Sequence, residues 1–241
     1  MEKNKNFYFY NTAILLLLLT TLGCSDSKKD DVPWISLFDG ESLSGWTIKG
    51  GEASYEVRDK IIVGSTVHDT PNTFLTTDKM YDDFILELDY KVDSTMNSGI
   101  QIRSNSFPYY RNGRVHGYQI EIDPSDRAWS AGIYDEARRG WLNTMDNNPK
   151  AQQAFKQNEW NHYRIEAIGD TLKTWINDIP AAYLIDEKTS SGFIGLQVHS
   201  IGKDQEAGTE IQWKNIRILT DSLAKYARKS PLTPIITKNQ L

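Results

Sequence analysis

Short β-branched and aromatic runs, separated by clusters of Gly, Asn, Asp and Pro, dominate the chain from Trp34 to Leu219. Runs of this length with these breakers predict strands. The clearest are Phe84 to Val92, Gly99 to Arg103, Tyr118 to Asp123, His162 to Ala167, Leu172 to Asn177, Phe193 to His199 and Ile211 to Leu219. Helical periodicity is scarce, confined to Pro149–Phe155 and Ser222–Arg228. Gly169-Asp170 and Asn177-Asp178 supply turn chemistry between strands. So many short strands predict an all-β fold, a two-sheet β-sandwich or jelly roll. The Pro-containing segment from Pro231 to Leu241 reads as a tail, peripheral or disordered.

Successive side chains of a strand point to opposite faces of the sheet, so each run can be divided into two rows. Ile100 and Ile102 oppose Gln101 and Arg103. Tyr118, Ile120 and Ile122 oppose Gln119, Glu121 and Asp123. Ile194, Leu196 and Val198 oppose Gly195, Gln197 and His199. Half-buried antiparallel strands usually turn their polar row to water, and such rows favour Lys, Glu, Thr and Ser. Here the rows hold Gln, Arg, Glu, Asp and His, groups that bind sugar hydroxyls and move protons. That mixture favours a binding face, walled by aromatics from the following loop, Trp129, Tyr134 and Trp141. The neighbouring Asp135, Arg138 and Arg139 are less specific, because surface ion pairs are common and weak.

A formal net charge of −5 argues against nucleic acid as a partner. Seven Trp and twelve Tyr are an aromatic excess suited both to strand surfaces and to stacking on sugar rings.

The N-terminus has a different pattern. Lys3 and Lys5 precede an apolar run from Ala13 to Leu19, then Thr20, Thr21, Leu22, Gly23 and Cys24. This order predicts a signal peptide over residues 1–23, its apolar stretch too short for the ~20 residues that cross a bilayer. Cys24 is the only cysteine of the chain and sits where a lipoprotein is acylated. Acylation there would make a stable membrane anchor, with residues 24–33 as a polar tether. The expected location is the cell envelope, lipid-anchored, on the periplasmic or outer-membrane surface. A domain over residues 34–220, followed by a tail over 221–241, completes the organisation. About 200 residues suit one β domain.

Six motifs in order now carry a resemblance: Leu37-Phe38-Asp39-Gly40 with Leu43 to Trp46; Asn97 to Arg103; Gly117 to Asp123; Gly132 to Asp135; Glu159-Trp160-Asn161; and Gly195 to His199. Their order and spacing from about Trp34 to Leu219 resemble the 3-keto-disaccharide hydrolase domain family, concanavalin A-like jelly rolls of the Bacteroidetes. The resemblance implies cleavage of a glycoside whose C3 hydroxyl has been oxidised to a ketone by a separate sugar 3-oxidoreductase, the expected pathway partner. A C3 ketone acidifies the C2 proton. A base removes it, the enolate expels the C1 substituent, and water adds to the enone.

This route needs a base, a donor for the enolate oxygen and an acid at the leaving oxygen. The candidate bases are Glu121 and His199, with no preference between them. Arg103 is the expected enolate stabiliser, Gln101, Gln119 and Gln197 the ring-hydroxyl ligands, Tyr134 and Trp141 the walls, and Asp123 a tuning group for His199 or Arg103. Glu121, Asp123 and His199 have the chemistry to hold a divalent metal. No compact metal motif is present, and none is assigned.

Two other functions fit. Glu121-Ile122-Asp123-Pro124-Ser125-Asp126 is close to the Glu-x-Asp-x-x-Glu pattern of laminarinase-like retaining glycosidases. Asp126 is one methylene short at the acid–base position, which alters the ~5 Å carboxyl separation of retaining chemistry. The other is a non-catalytic surface glycan-binding lipoprotein.

Overall fold

The computed structural model describes residue 1 and residues 32–237. The signal peptide, Cys24 and most of the tether lie outside the described residues. Among those described, no helix is long and apolar enough to cross a membrane. Among the described residues, sixteen strands, two one-turn α-helices and one 3-10 turn (Arg111–Gly113) make up the regular structure. The N-terminal strands are β1 (Ile35–Ser36), β2 (Trp46–Gly50), β3 (Ser54–Arg58), β4 (Ile61–Ser65) and β5 (Thr73–Thr77). Next come β6 (Phe84–Val92), β7 (Ser98–Asn105), β8 (His116–Ile122), β9 (Ile133–Glu136) and β10 (Gly140–Asn143), then helix α1 (Pro149–Gln152). The rest are β11 (Asn161–Ile168), β12 (Thr171–Ile176), β13 (Ile179–Ile185), β14 (Phe193–Val198), β15 (Glu210–Leu219), α2 (Leu223–Tyr226) and β16 (Ile235–Ile236).

They form two sheets. One has the order β16-β13-β12-β11-β6-β15-β4-β3, with β1 also on β15; the other runs β10-β9-β8-β7-β14-β5-β2. The fold is therefore the all-β sandwich that the alternation predicts. Its hairpins form where expected, with Asn177 and Asp178 both at positive φ between β12 and β13.

Between the sheets, Leu86, Leu88 and Tyr90 of β6, Tyr163 and Ile165 of β11 and Trp213 of β15 meet Ile100, Tyr118, Ile120, Ile194 and Leu196 of the second sheet, all buried. Three of the apolar rows read from the sequence are thus the core side of the second sheet. Its polar rows face away from the core.

The outer face of the first sheet is also polar but closed. Arg164 donates from Nη1 to Glu87 at 2.7 Å and from Nη2 to Glu166 at 2.8 Å, all three side chains buried. The C-terminal segment covers them. Arg164 also reaches the carbonyl of Tyr226 at 2.6 Å, and the Arg228 amide donates to Glu166 at 2.8 Å. Beyond it, β16 pairs in parallel with β13 at the sheet edge. The segment read as a loose tail is peripheral but structured through residue 237. Its signal is two consecutive isoleucines, too short a run to read as a strand.

Candidate active site

The polar face of the second sheet is the floor of a cleft of about 760 Å³. Glycines make room for its side chains. Across β7 and β8, Gly99 lies opposite Glu121, and across β14 and β7, Gly195 lies opposite Gln101. A strand position without a side chain lets a neighbouring side chain lie over the backbone, as Gln119 does over Gly99. A Cβ at Gly99 would come within 2.6 Å of Cγ and Cδ of Gln119. Gly99→Ala is therefore expected to displace Gln119 and lower turnover about tenfold, with a stability loss of roughly 1–3 kcal/mol from overpacking. Kinetics beside a thermal melt check both.

Glu121 lies on the floor, fixed from three sides. Asn97 Nδ2 donates to its Oε1 at 2.7 Å, and Gln119 Nε2 to its Oε2 at 2.9 Å. Beneath the sheet, Tyr163 donates to the Glu121 carbonyl at 2.5 Å. Burial is the largest influence on the carboxyl and pushes it up to about 7; the amide hydrogen bonds oppose that rise, the charge of Asp123 adds to it, and Arg127 opposes it. A carboxyl poised there exchanges protons at neutral pH.

Gln119 is held in one orientation by a directed chain. Ser104 Oγ donates to Gln101 Oε1 at 2.6 Å, and Gln101 Nε2 donates to Gln119 Oε1 at 2.6 Å. Gln101 is consequently a buried support for Gln119, where the sequence suggested a ring-hydroxyl ligand. Gln197 is the opposite case. It is fully buried and lines the cleft, and neither amide atom has a hydrogen-bond partner among the described residues. A buried unpaired amide costs about 1–3 kcal/mol per group, which a bound hydroxyl or carbonyl would recover.

His199 stands at the rim. Its Nδ1 is 2.7 Å from the Ser200 carbonyl, which can only accept, so Nδ1 carries the hydrogen and Nε2 is left for chemistry. Tyr134 and Trp141 line one wall, on β9 and β10 rather than in a loop, edge to face at 5.1 Å. Trp129 packs on Trp141 at 4.7 Å.

Two expectations need correction. Arg103 is absent from the cleft. The register between β7 and β8 slips between Ile102 and Asn105, and Arg103 sits in that irregularity at φ 46. The slip breaks alternation and sends the guanidinium to the Asp82 carbonyl (2.6 Å), the Gly169 carbonyl (2.7 Å) and Asp83 Oδ1 (2.8 Å). Asp123 tunes neither His199 nor Arg103. Its carboxylate accepts from Ser125 Oγ at 2.6 Å, Arg127 Nε at 2.7 Å and the Trp129 amide at 3.3 Å. Asp123 is therefore committed to its own loop. Among the described residues, no group of three or more His, Cys, Asp or Glu is arranged to hold a metal ion. Asp135, Arg138 and Arg139 form an interior network with Asp186, apart from the cleft.

The cation of the site is Arg127, a residue the alternation could not reveal because it lies in the turn after β8. Asp123 orients it, its Nη2 lies 3.6 Å from Glu121 Oε1, and its guanidinium lies over Trp129 at 4.7 Å and Trp141 at 5.0 Å. Asn97, Arg111, Arg114 and Glu136 are further lining residues that the strand pattern missed. A signal for Arg127 existed in its position four residues after Asp123.

The comparisons agree with this fold. A protein of Parabacteroides distasonis proposed to be a glycosyl hydrolase superposes with a TM-score of 0.56 at 17% identity, over 78% of this chain and 93% of its own. The carbohydrate-binding module CBM66 of Bacillus subtilis gives 0.52 at 17% identity, over 71% and 93%. A Bacillus subtilis protein with a galectin-like fold gives 0.55 at 11% identity, over 74% and 90%. At these identities the likeness is one of fold. No curated protein matches the sequence. The family model of the 3-keto-alpha-glucoside-1,2-lyase-like domain matches residues 33–219, nearly the whole sandwich and every element of the cleft, and the chain belongs to that family.

Proposed function

We propose that this protein cleaves the glycosidic bond of 3-keto-glycosides by elimination and hydration, with Glu121 as the base. The observation that carries the reading is a carboxyl at about 7 on the floor of a sugar-sized cleft, beside a cation and an unpaired amide. Glu121 takes the C2 proton made acidic by the C3 ketone. The electron pair moves onto the ketone oxygen, stabilised by the Gln197 amide and the Arg127 guanidinium. As the enolate collapses, the C1–O bond breaks and His199, protonated at Nε2, gives its proton to the leaving oxygen. Water then adds at C1, losing a proton to His199, and C2 takes a proton from Glu121 after that carboxyl has exchanged with solvent. The sum is hydrolysis, with the intermediate enone as the lyase product if water is slow.

Tyr134 and Trp141 supply the stacking wall for the sugar. Lipid attachment at Cys24 and location in the cell envelope belong to the same proposal, as does supply of the substrate by a sugar 3-oxidoreductase.

The test is to incubate the purified protein in D₂O with matched aryl glucosides and their 3-keto forms. Aglycone release from the keto forms alone, with one deuterium at C2 of the released sugar, is expected. Release from the unmodified glucosides would instead favour a classical glycosidase. Affinity for both without release from either would leave a glycan-binding module.

A further inference from the structure

The Arg111 loop at the mouth of the cleft is not used by this chemistry. Of the cleft's three arginines, Arg127 is paired with Asp123 at 2.7 Å, and Arg114 with Glu136 at 3.3 Å. Arg111 has no carboxylate partner among the described residues; its guanidinium only overlies the Tyr110 ring at 5.5 Å. The mouth of the cleft thus carries one guanidinium without a carboxylate against it, in a chain of net charge −5.

The backbone holds Arg111 there at a cost. Arg111, Asn112 and Gly113 are consecutive left-handed residues, at φ 44, 58 and 82. For Arg that conformation costs roughly 1–2 kcal/mol, and strain of this kind concentrates where a side chain must be aimed. Ser106 Oγ closes the loop onto the Gly113 carbonyl at 2.5 Å. The same loop exposes Phe107 and Tyr109, stacked in parallel with centroids 5.2 Å apart, Tyr109 being 83% exposed. A planar apolar surface beside an uncompensated guanidinium is complementary to an aromatic ring bearing an anion.

We infer that the Arg111 loop is the leaving-group subsite and that it selects aglycones carrying a carboxylate. The inference rests on the proposed glycoside cleavage for its place in the reaction, but the recognition is separable from the chemistry. Guanidinium and carboxylate pair at the mouth while the sugar occupies the floor beside Glu121.

The experiment compares 4-carboxyphenyl and 4-carbamoylphenyl glucosides, isosteric and differing in charge, in 3-keto and unmodified forms. Calorimetric binding to Glu121→Gln gives an affinity ratio independent of turnover, and kcat/KM on the native protein gives the kinetic ratio. The expected preference for the carboxylate is about fivefold, the worth of a partly exposed ion pair. It should shrink in high salt, fall to about one in Arg111→Gln and largely return in Arg111→Lys. Equal affinity for the two aglycones, or a preference that survives Arg111→Gln, would overturn the inference. A binding preference without any turnover would sustain the subsite while refuting the proposed reaction.

Discussion

Glu121→Gln is expected to lower kcat on a 3-keto-glucoside by about 10³-fold, within the 10²–10⁴ range of a general base, and to change substrate affinity less than about threefold. Gln keeps the size and one acceptor oxygen of the side chain, so either Asn97 or Gln119 retains its hydrogen bond. What disappears is the proton acceptor. On the acid limb of its pH profile the native protein should gain rate through a midpoint at about 7, because only the ionised carboxylate removes the C2 proton. A residual rate in Glu121→Gln with that midpoint intact would transfer the role of base to His199.

The same substitution carries a stability signature of opposite sign. The folded-state carboxyl titrates at about 7, above its ordinary 4.5, so the folded protein holds the proton more tightly than the unfolded chain. The penalty is therefore absent below pH 4.5, grows between pH 4.5 and 7, and is complete above 7. It amounts to about 3 kcal/mol at most. Glu121→Gln should melt higher than the native protein at pH 8 and converge with it near pH 4. A group that costs stability in its working protonation state is what a site residue does, and a merely structural carboxylate would show the reverse.

The extent to which the sequence disclosed this site follows from strand geometry. Glu121, Gln119 and Gln197 were legible because β8 and β14 keep their alternation, and a period of two assigns each side chain to a face without knowledge of the partners. Tyr134 and Trp141 were legible as walls only through their aromatic character. β9 and β10 are four residues each, too short to show a period. Arg127 and Arg111 lie in loops, where no period exists and direction depends on hydrogen bonds from Asp123 or on positive φ. Beyond the four-residue spacing of Arg127 from Asp123, position discloses no such contact. The first sheet was less legible because its outer row is buried by ion pairs and the C-terminal segment. The burial of Glu87, Arg164 and Glu166 depends on a segment distant in sequence, which no strand pattern reports.

Arg103 shows where this logic fails, and it makes the sharpest test of the structure. By alternation it shares a face with Gln101; by the bulge it leaves that face and cross-links β7 to the turn before β6 and to the β11–β12 hairpin. Arg103→Met keeps length and apolar volume but removes donors to two carbonyls and to Asp83. Hydrogen bonds to charged groups are worth about 1.5–3 kcal/mol each, offset in part by the relief of burying a guanidinium that is 1% exposed. The net loss should be about 3 kcal/mol, a fall in Tm of roughly 10 °C for a domain of this size. Well below that Tm, kcat/KM on a 3-keto-glucoside should stay within about twofold of native, because no reacting atom is within reach of Arg103. An unchanged Tm with a hundredfold loss of kcat would put the guanidinium back in the cleft and require β7 to run without its bulge. The elimination chemistry would then have a permanent cation opposite Gly117, on the face that carries Gln119, and Arg127 would be reduced to a partner of Asp123.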